Sequence, residues 1–171
     1  DWMCWPRHDS PAIFLKILDD RKGGSCRLTL DSVTASERRY LPGTNVLETT
    51  VTTETGTARL VDLMPVNPPS AEAEEGPDGE GESRLLRLLT CERGRVAGPF
   101  RVRPTFDSAR RPCTPPVAGR PALFDAGHSR VRVNSLSSPT LLRAPARPPL
   151  TLAVGPHASR FLPLCAHFAY A

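Results

Sequence analysis

The sequence lacks the features that mark membrane proteins and metal sites. No apolar run approaches the roughly 20 residues of a membrane-spanning helix, and no signal peptide opens the chain. The five cysteines are scattered, and none forms a CxxC pair or a Cys/His cluster with zinc spacing. We therefore expect no membrane association, no metal and no cofactor, and free thiols in a reducing, cytoplasmic compartment.

Aromatic residues and lysine are also scarce. Aromatics make up 6% of the chain, and lysine occurs only at Lys16 and Lys22, against 20 arginines. The arginines are scattered rather than arranged in a stripe, and few aromatic rings are present to stack on bases. Although the net charge is +4, this pattern argues against a nucleic-acid partner.

Proline is abundant, with 19 residues beside 12 glycines. Proline fixes φ and removes a backbone donor, so a fold of long helices is excluded and many short strands joined by turns are favoured. The length of 171 residues suits one domain. We predict a single antiparallel β-sandwich over residues 1–171. Because the chain begins with Asp1 and ends abruptly, we expect it to be incomplete at both ends.

One segment has the composition of a solvated loop. Residues 67–83 are rich in proline and glycine and carry six acidic side chains within a few positions. Such a segment cannot bury apolar surface, so we predict a flexible acidic loop. A calcium-binding loop is the alternative, but the acids lack the twelve-residue spacing of calcium ligands.

Alternation of apolar and polar residues predicts most of the strands. The runs 46–53 and 58–64 are β-prone and flank a short turn containing Gly56, which predicts a hairpin. Further strands are predicted from Cys26, from Leu85, at 100–103, at 129–135 and at 150–154, with a turn region over 91–98. The tail after Pro156 shows no pattern. Near the N-terminus, Ile13, Phe14, Ile17 and Leu18 recur at helical spacing and predict one short helix.

Four sequence blocks occur in an order that resembles a known family. They read Asp-Trp-Met-Cys-Trp-Pro-Arg-His-Asp-Ser-Pro at 1–11, Arg-Tyr-Leu-Pro-Gly-Thr-Asn-Val-Leu-Glu-Thr at 39–49, Gly-Thr through Val-Asp-Leu-Met-Pro-Val at 56–66, and Arg-Pro-Thr-Phe-Asp at 103–107. They are similar to the trehalase-like N-terminal domain of family 15 glycoside hydrolases, which include prokaryotic trehalases and glucoamylases. His8 departs from the pattern, which usually has phenylalanine there, and the resemblance thins beyond Arg111.

This resemblance implies a supersandwich of antiparallel strands that packs against an (α/α)6 catalytic barrel. In the family the barrel supplies two carboxylates that hydrolyse α-glucan or trehalose with inversion. The present chain is too short to form such a barrel. We therefore expect a non-catalytic accessory domain, with the barrel in cis or in trans as its partner and without catalytic residues of its own.

Two groups of residues are the candidates for contact with a substrate or with a neighbouring domain. Both combine an aromatic ring, a cation and a carboxylate, which suits sugar recognition. Structural roles are the favoured alternative, with Trp5 in the core and the charged residues in turn caps or ion pairs. A hydrolytic dyad of His8 and Asp9 is disfavoured because adjacent residues on an extended chain point to opposite faces. The candidates are Trp5, Arg7, His8 and Asp9 in the first group, and Arg103, Phe106 and Asp107 in the second.

Two other classes of function remain open from the sequence. The chain could act as a free-standing carbohydrate-binding or partner-binding sandwich, or it could be a truncated relic of a hydrolase. A relic lacking its last strands would expose unpaired strand edges and apolar surface, and we would expect it to aggregate.

Overall fold

The computed structural model of the chain describes residues 1–5, 8–65, 83–111, 122–125, 129–133, 150–156 and 158–168. Every regular element within these ranges is a β-strand. In chain order the strands are β1 (Met3–Cys4), β2 (Ala12–Phe14), β3 (Ser25–Leu28), β4 (Val33–Tyr40), β5 (Leu47–Thr53), β6 (Gly56–Leu63), β7 (Ser83–Gly94), β8 (Val96–Arg103), β9 (Ala122–Asp125), β10 (Ser129–Val133), β11 (Leu150–Val154) and β12 (Ser159–Phe168).

The described strands form three sheets, and every pairing is antiparallel. A seven-stranded sheet has the order β4-β5-β6-β7-β12-β10-β9, a three-stranded sheet has the order β11-β8-β3, and β1 pairs with β2. The all-β antiparallel class predicted from the proline content and the alternating strands is therefore confirmed.

The hydrophobic core lies between the two larger sheets. Residues at every second position supply it, as the two-residue period of a strand requires. The seven-stranded sheet contributes Ala58 and Leu89, while the three-stranded sheet contributes Phe100 and Val154, and all four are buried. Side chains from both sheets thus interlock as in a sandwich.

The hairpin predicted over 46–64 is confirmed as β5 and β6. Its turn is held by Thr53, a buried residue whose hydroxyl accepts hydrogen bonds from the backbone N–H groups of Thr55 at 3.3 Å and Gly56 at 3.0 Å. The Thr55 hydroxyl donates to the Arg95 carbonyl at 2.7 Å, and Arg95 N–H donates to the Thr55 carbonyl at 3.0 Å. The β5–β6 turn is therefore fastened to the β7–β8 turn.

The short helix predicted near the N-terminus is wrong. Ile13 and Phe14 belong to strand β2, and only a turn follows, in which Leu18 and Asp19 donate backbone hydrogen bonds to the Leu15 carbonyl at 2.9 and 3.2 Å. The helical spacing predicted one shared apolar face, but Ile13 and Phe14 are buried, whereas Ile17 is 71% exposed. Pairing of β2 with β1 and burial in the core outweigh the weak helical propensity of these residues.

Two other sequence predictions need adjustment, and a third is not tested by the described residues. The turn region predicted over 91–98 is confined to Arg95, because β7 runs to Gly94 and β8 begins at Val96. The patternless tail after Pro156 contains a ten-residue strand, β12. The predicted acidic loop lies outside the described residues except for Ser83, where β7 begins.

Candidate functional site

The N-terminal motif begins with a strand and ends in a turn at the surface. Trp5 follows β1 and is 1% exposed, within the core cluster. Its indole Nε1 has no hydrogen-bond partner among the described residues. His8 and Asp9 lie in the following turn and are exposed, while Arg7 lies outside the described residues. The motif thus places the Trp5 ring in the core and the side chains of His8 and Asp9 at the surface.

The second candidate group divides in the same way. Phe106 is 2% exposed and packs in the same core cluster as Trp5. Arg103 is exposed and donates to the Arg21 carbonyl at 3.0 Å. Asp107 has a φ of 50° and lies 3.9 Å from Arg111, in an ion pair between partly exposed side chains. Residues 108 and 109 also have positive φ, at 51° and 66°, so the chain reverses in a left-handed turn.

Backbone hydrogen bonds join the segments that carry these two groups. Thr105 N–H donates to the Ile13 carbonyl at 2.9 Å, and the Thr105 hydroxyl donates to the same oxygen at 3.3 Å. The Ala12 N–H donates to the Ser108 hydroxyl at 3.3 Å. Gly24, at φ +65°, lies against strand β2, because a Cβ at this position would be 2.9 Å from the Ile13 carbonyl oxygen. The candidates that the structure describes therefore belong to one region of the molecule.

A buried cluster that the sequence analysis did not single out links the two sheets. Arg87 on β7 forms a forked ion pair with Asp62 on β6, with Nε to Oδ1 at 2.8 Å and Nη2 to Oδ2 at 3.3 Å. The Arg87 Nη1 also donates to the carbonyl of Cys26, on β3, at 3.3 Å. The two charged side chains are 17% and 16% exposed. One guanidinium thus connects β6, β7 and the opposite sheet.

The Cys26 thiol in this cluster has low reactivity. Cys26 is 7% exposed and its sulfur lies 3.4 Å from Arg87 Nη1. Burial raises the pKa of the Cys26 thiol to about 11, although the neighbouring guanidinium acts in the opposite direction. At neutral pH the thiol is therefore protonated, and a protonated thiol is a poor nucleophile.

A second charged cluster fastens the β4–β5 hairpin. Glu48 on β5 is 4% exposed, and its carboxylate contacts Arg39 Nη2 at 2.6 Å and Arg59 Nη1 at 3.5 Å. The hydrogen bond from Arg39 lowers the pKa of the Glu48 carboxyl. Arg39 and Glu48 are both in the second family-like block, and their contact gives that block a structural role. A carboxylate held between two arginines keeps its negative charge and is unsuited to act as a general acid.

Three further features of the described residues concern metals, thiols and membranes. No group of three or more His, Cys, Asp or Glu side chains among them could hold a metal ion. Cys4, Cys26 and Cys91 are free thiols. In the part of the chain that the structure describes, no helix is long and apolar enough to cross a membrane.

These observations define a class. The chain is an antiparallel β-sandwich domain in which hydrogen bonds join the two segments that carry the motif residues. The sequence profile of the family described as "Trehalase-like, N-terminal" matches residues 1–147. The chain belongs to this family, as its four ordered blocks predicted.

Curated relatives agree with the profile. The chain is 38% identical to a trehalase of Mycolicibacterium smegmatis over 149 residues, which cover 82% of this chain and 22% of the relative. It is 37% identical to a trehalase of Mycobacterium tuberculosis over 118 residues, covering 64% of this chain and 17% of the relative. It is 44% identical to trehalase 1 of Sulfolobus acidocaldarius over 107 residues, covering 62% of this chain and 16% of the relative.

The chain thus spans about a fifth of the length of these relatives. No solved structure matches it significantly.

Proposed function

We propose that this chain acts in carbohydrate metabolism as the non-catalytic N-terminal domain of a family 15 glycoside hydrolase, of the trehalase or glucoamylase type. Its partner in this proposal is an (α/α)6 catalytic barrel that supplies the general acid and base. The observation that carries the proposal is the family match over residues 1–147, combined with relatives named trehalase of which the match covers only about a fifth. A cytoplasmic location accords with the free thiols of Cys4, Cys26 and Cys91.

The geometry of the candidate residues supports a packing role over direct sugar binding. A sugar ring stacks on an accessible aromatic face, but Trp5 and Phe106 are 1% and 2% exposed. The buried cluster around Arg87 and the charged cluster around Glu48 both join strands. The Glu48 carboxylate, held by two arginines, is unsuited to the general-acid role that glycoside hydrolysis requires.

The test is a hydrolysis assay on the purified chain with trehalose, maltose and soluble starch, with glucose release as the readout. We expect no release above a blank purified from cells that carry the empty vector. A full-length relative, the M. smegmatis trehalase, serves as the positive control on trehalose. Glucose release that copurifies with the chain through two different chromatographic steps would contradict the proposal.

A further inference from the structure

The outer face of the three-stranded sheet carries an unusual arrangement of charge. Along β3 and β8, alternate residues point into the core, among them Cys26 and Phe100, so the residues between them point outward. Arg27 lies directly opposite Arg101 in the register of these strands, and Ser25 lies opposite Arg103. All three arginines are exposed. Two like charges therefore face each other across one pair of strands.

Two more cations lie beside these arginines. The Arg103 guanidinium donates to the Arg21 carbonyl at 3.0 Å, which brings the exposed Arg21 and its neighbour Lys22 to the same end of the sheet. The side chains of Arg27 and Arg101 take part in no hydrogen bond or ion pair within the described part of the chain. We call this set of five cations the basic face; it comprises Arg21, Lys22, Arg27, Arg101 and Arg103.

The acidic residues nearby neutralise the basic face only in part, and the Asp1 carboxylate beside it accepts a hydrogen bond from the Cys26 N–H at 2.9 Å. The Asp19 carboxylate accepts hydrogen bonds from the backbone N–H groups of Arg21 and Lys22, at 2.8 Å each. Asp20 forms an ion pair with Lys16, which is the main cause of the lowered pKa of the Asp20 carboxyl. Arg27 also lowers this pKa, but more weakly. Asp31, whose N–H donates to the Ala97 carbonyl, lies on the same outer face, but at its opposite end.

Like charges directly opposite each other destabilise a sheet pair. The chain alone thus carries an unfavourable arrangement that an external negative charge would turn into an attraction. Arginine forks bind carboxylates through two parallel hydrogen bonds, and arginine is enriched at protein interfaces. The outward positions of β3 and β8 carry no aromatic ring on which a nucleic-acid base could stack.

We propose that the basic face docks an acidic polypeptide surface, through carboxylates that approach Arg27 and Arg101. The inference rests on the proposed function as a packing domain, and it identifies the face that a partner domain would contact. One observation favours a polypeptide partner, since most of the length of each relative lies outside the match to this chain.

The test uses the whole chain and a fluorescein-labelled peptide of eight glutamates, with fluorescence anisotropy as the readout. We expect saturable binding in 20 mM NaCl that weakens in 200 mM NaCl, as surface electrostatics requires. Arg101→Gln should lower the affinity by about fivefold or more. The matched control is Arg38→Gln, which removes the same charge from the exposed strand β4 and should lower it less than about twofold.

A second measurement separates binding from folding. Because Arg101→Gln relieves the repulsion with Arg27, its melting temperature should equal or exceed that of the wild type by about 1–2 °C. Equal losses of affinity in the two variants, or no binding by the wild type, would overturn the proposal. Tighter binding of duplex DNA than of the peptide would also overturn it, in favour of a nucleic-acid surface.

The chain's own acidic residues provide one further outcome. A variant in which the six acidic residues between positions 72 and 82 are replaced by their amides tests this outcome. If the peptide binds only to this variant, the basic face binds the chain's own acidic residues, and the proposal of an external partner fails. None of these outcomes depends on hydrolytic activity. Failure of the docking proposal is therefore distinguishable from glucose release, which would contradict the proposed function.

Discussion

Asp62 and Arg87 occupy core-facing positions on neighbouring strands, where apolar side chains would be expected. They lie directly opposite each other in the register of β6 and β7, next to the pair formed by the partly buried Leu60 and the buried Leu89. A charge buried without its partner is costly, so each of these residues makes the other necessary. The bond from Arg87 to the Cys26 carbonyl extends this dependence to the opposite sheet.

We expect Asp62→Asn to lower the free energy of unfolding by about 2–3 kcal/mol, since Arg87 would keep its charge in a mostly buried position without a counter-ion. The matched control is Asp107→Asn, which removes an exposed ion pair with Arg111 and should cost less than about 0.5 kcal/mol. Urea denaturation at pH 7 measures both values. Equal small losses would show that the Asp62–Arg87 pair contributes little to stability.

The candidate site was only partly predictable from single residues. The motif around Trp5 and the segment around Phe106 could be found as ordered blocks, and hydrogen bonds join the two segments. The Arg87 cluster was missed, although a signal existed. Leu85, Arg87 and Leu89 alternate on one face of a strand, so an arginine at a core position required an acidic partner. Sequence alone does not say which strand supplies that partner, because the pattern of residues along one strand does not determine the order of the strands in the sheet.

At the scale of the elements, the two hairpin turns depend on close contact between backbones. Gly94 ends β7 with a φ of +68°, and a Cβ at this position would clash with the Thr55 carbonyl of the neighbouring turn. Gly43, in the β4–β5 loop, has nearly the same φ of +69°, but nothing lies within 4 Å of the position of its Cβ. Comparing alanine at Gly43 with alanine at Gly94 therefore separates the free-energy cost of a left-handed backbone from that of a steric clash.

We expect Gly43→Ala to lower the free energy of unfolding by about 1 kcal/mol, which is the ordinary penalty for alanine in a left-handed conformation. Gly94→Ala should cost about 2–4 kcal/mol, since the added methyl group must also push apart the two turns. Thermal and urea denaturation give both numbers. If the two variants lose the same stability, the contact between the turns is soft and does not fasten the hairpins.

The elements also show where local sequence reasoning succeeds. The β5–β6 hairpin was predictable because its strand period, turn residues and β-branched content all agree. The N-terminal helix was wrong because four apolar residues at helical spacing also fit a buried strand followed by a turn. Strand β12 was missed because its sequence, from Ser159 to Phe168, lacks alternation. Its place is set by pairing with β7 and β10 rather than by its own pattern.

For the whole molecule, β12 is the strand that holds the large sheet together. It lies between β7 and β10, and its residues 159–166 pair in register with residues 83–90 of β7. Strands β9 and β10 reach the rest of the sheet only through β12 in the described part of the chain. Removing it would expose the edge of the twelve-residue strand β7, and a long unpaired edge promotes aggregation.

A chain that ends at Pro156 should therefore lose its cooperative fold, even though it keeps all of residues 1–147, which match the family. We expect the full chain to give a single cooperative melt and a monomer peak in size-exclusion chromatography, and the truncated chain to give a broad melt and early-eluting aggregates. Pro163→Ala, at a paired position within β12, controls for a change of sequence without loss of the strand. A monomeric, cooperatively melting truncated chain would show that the strands up to β11 suffice for the fold, and that β12 is an addition to it.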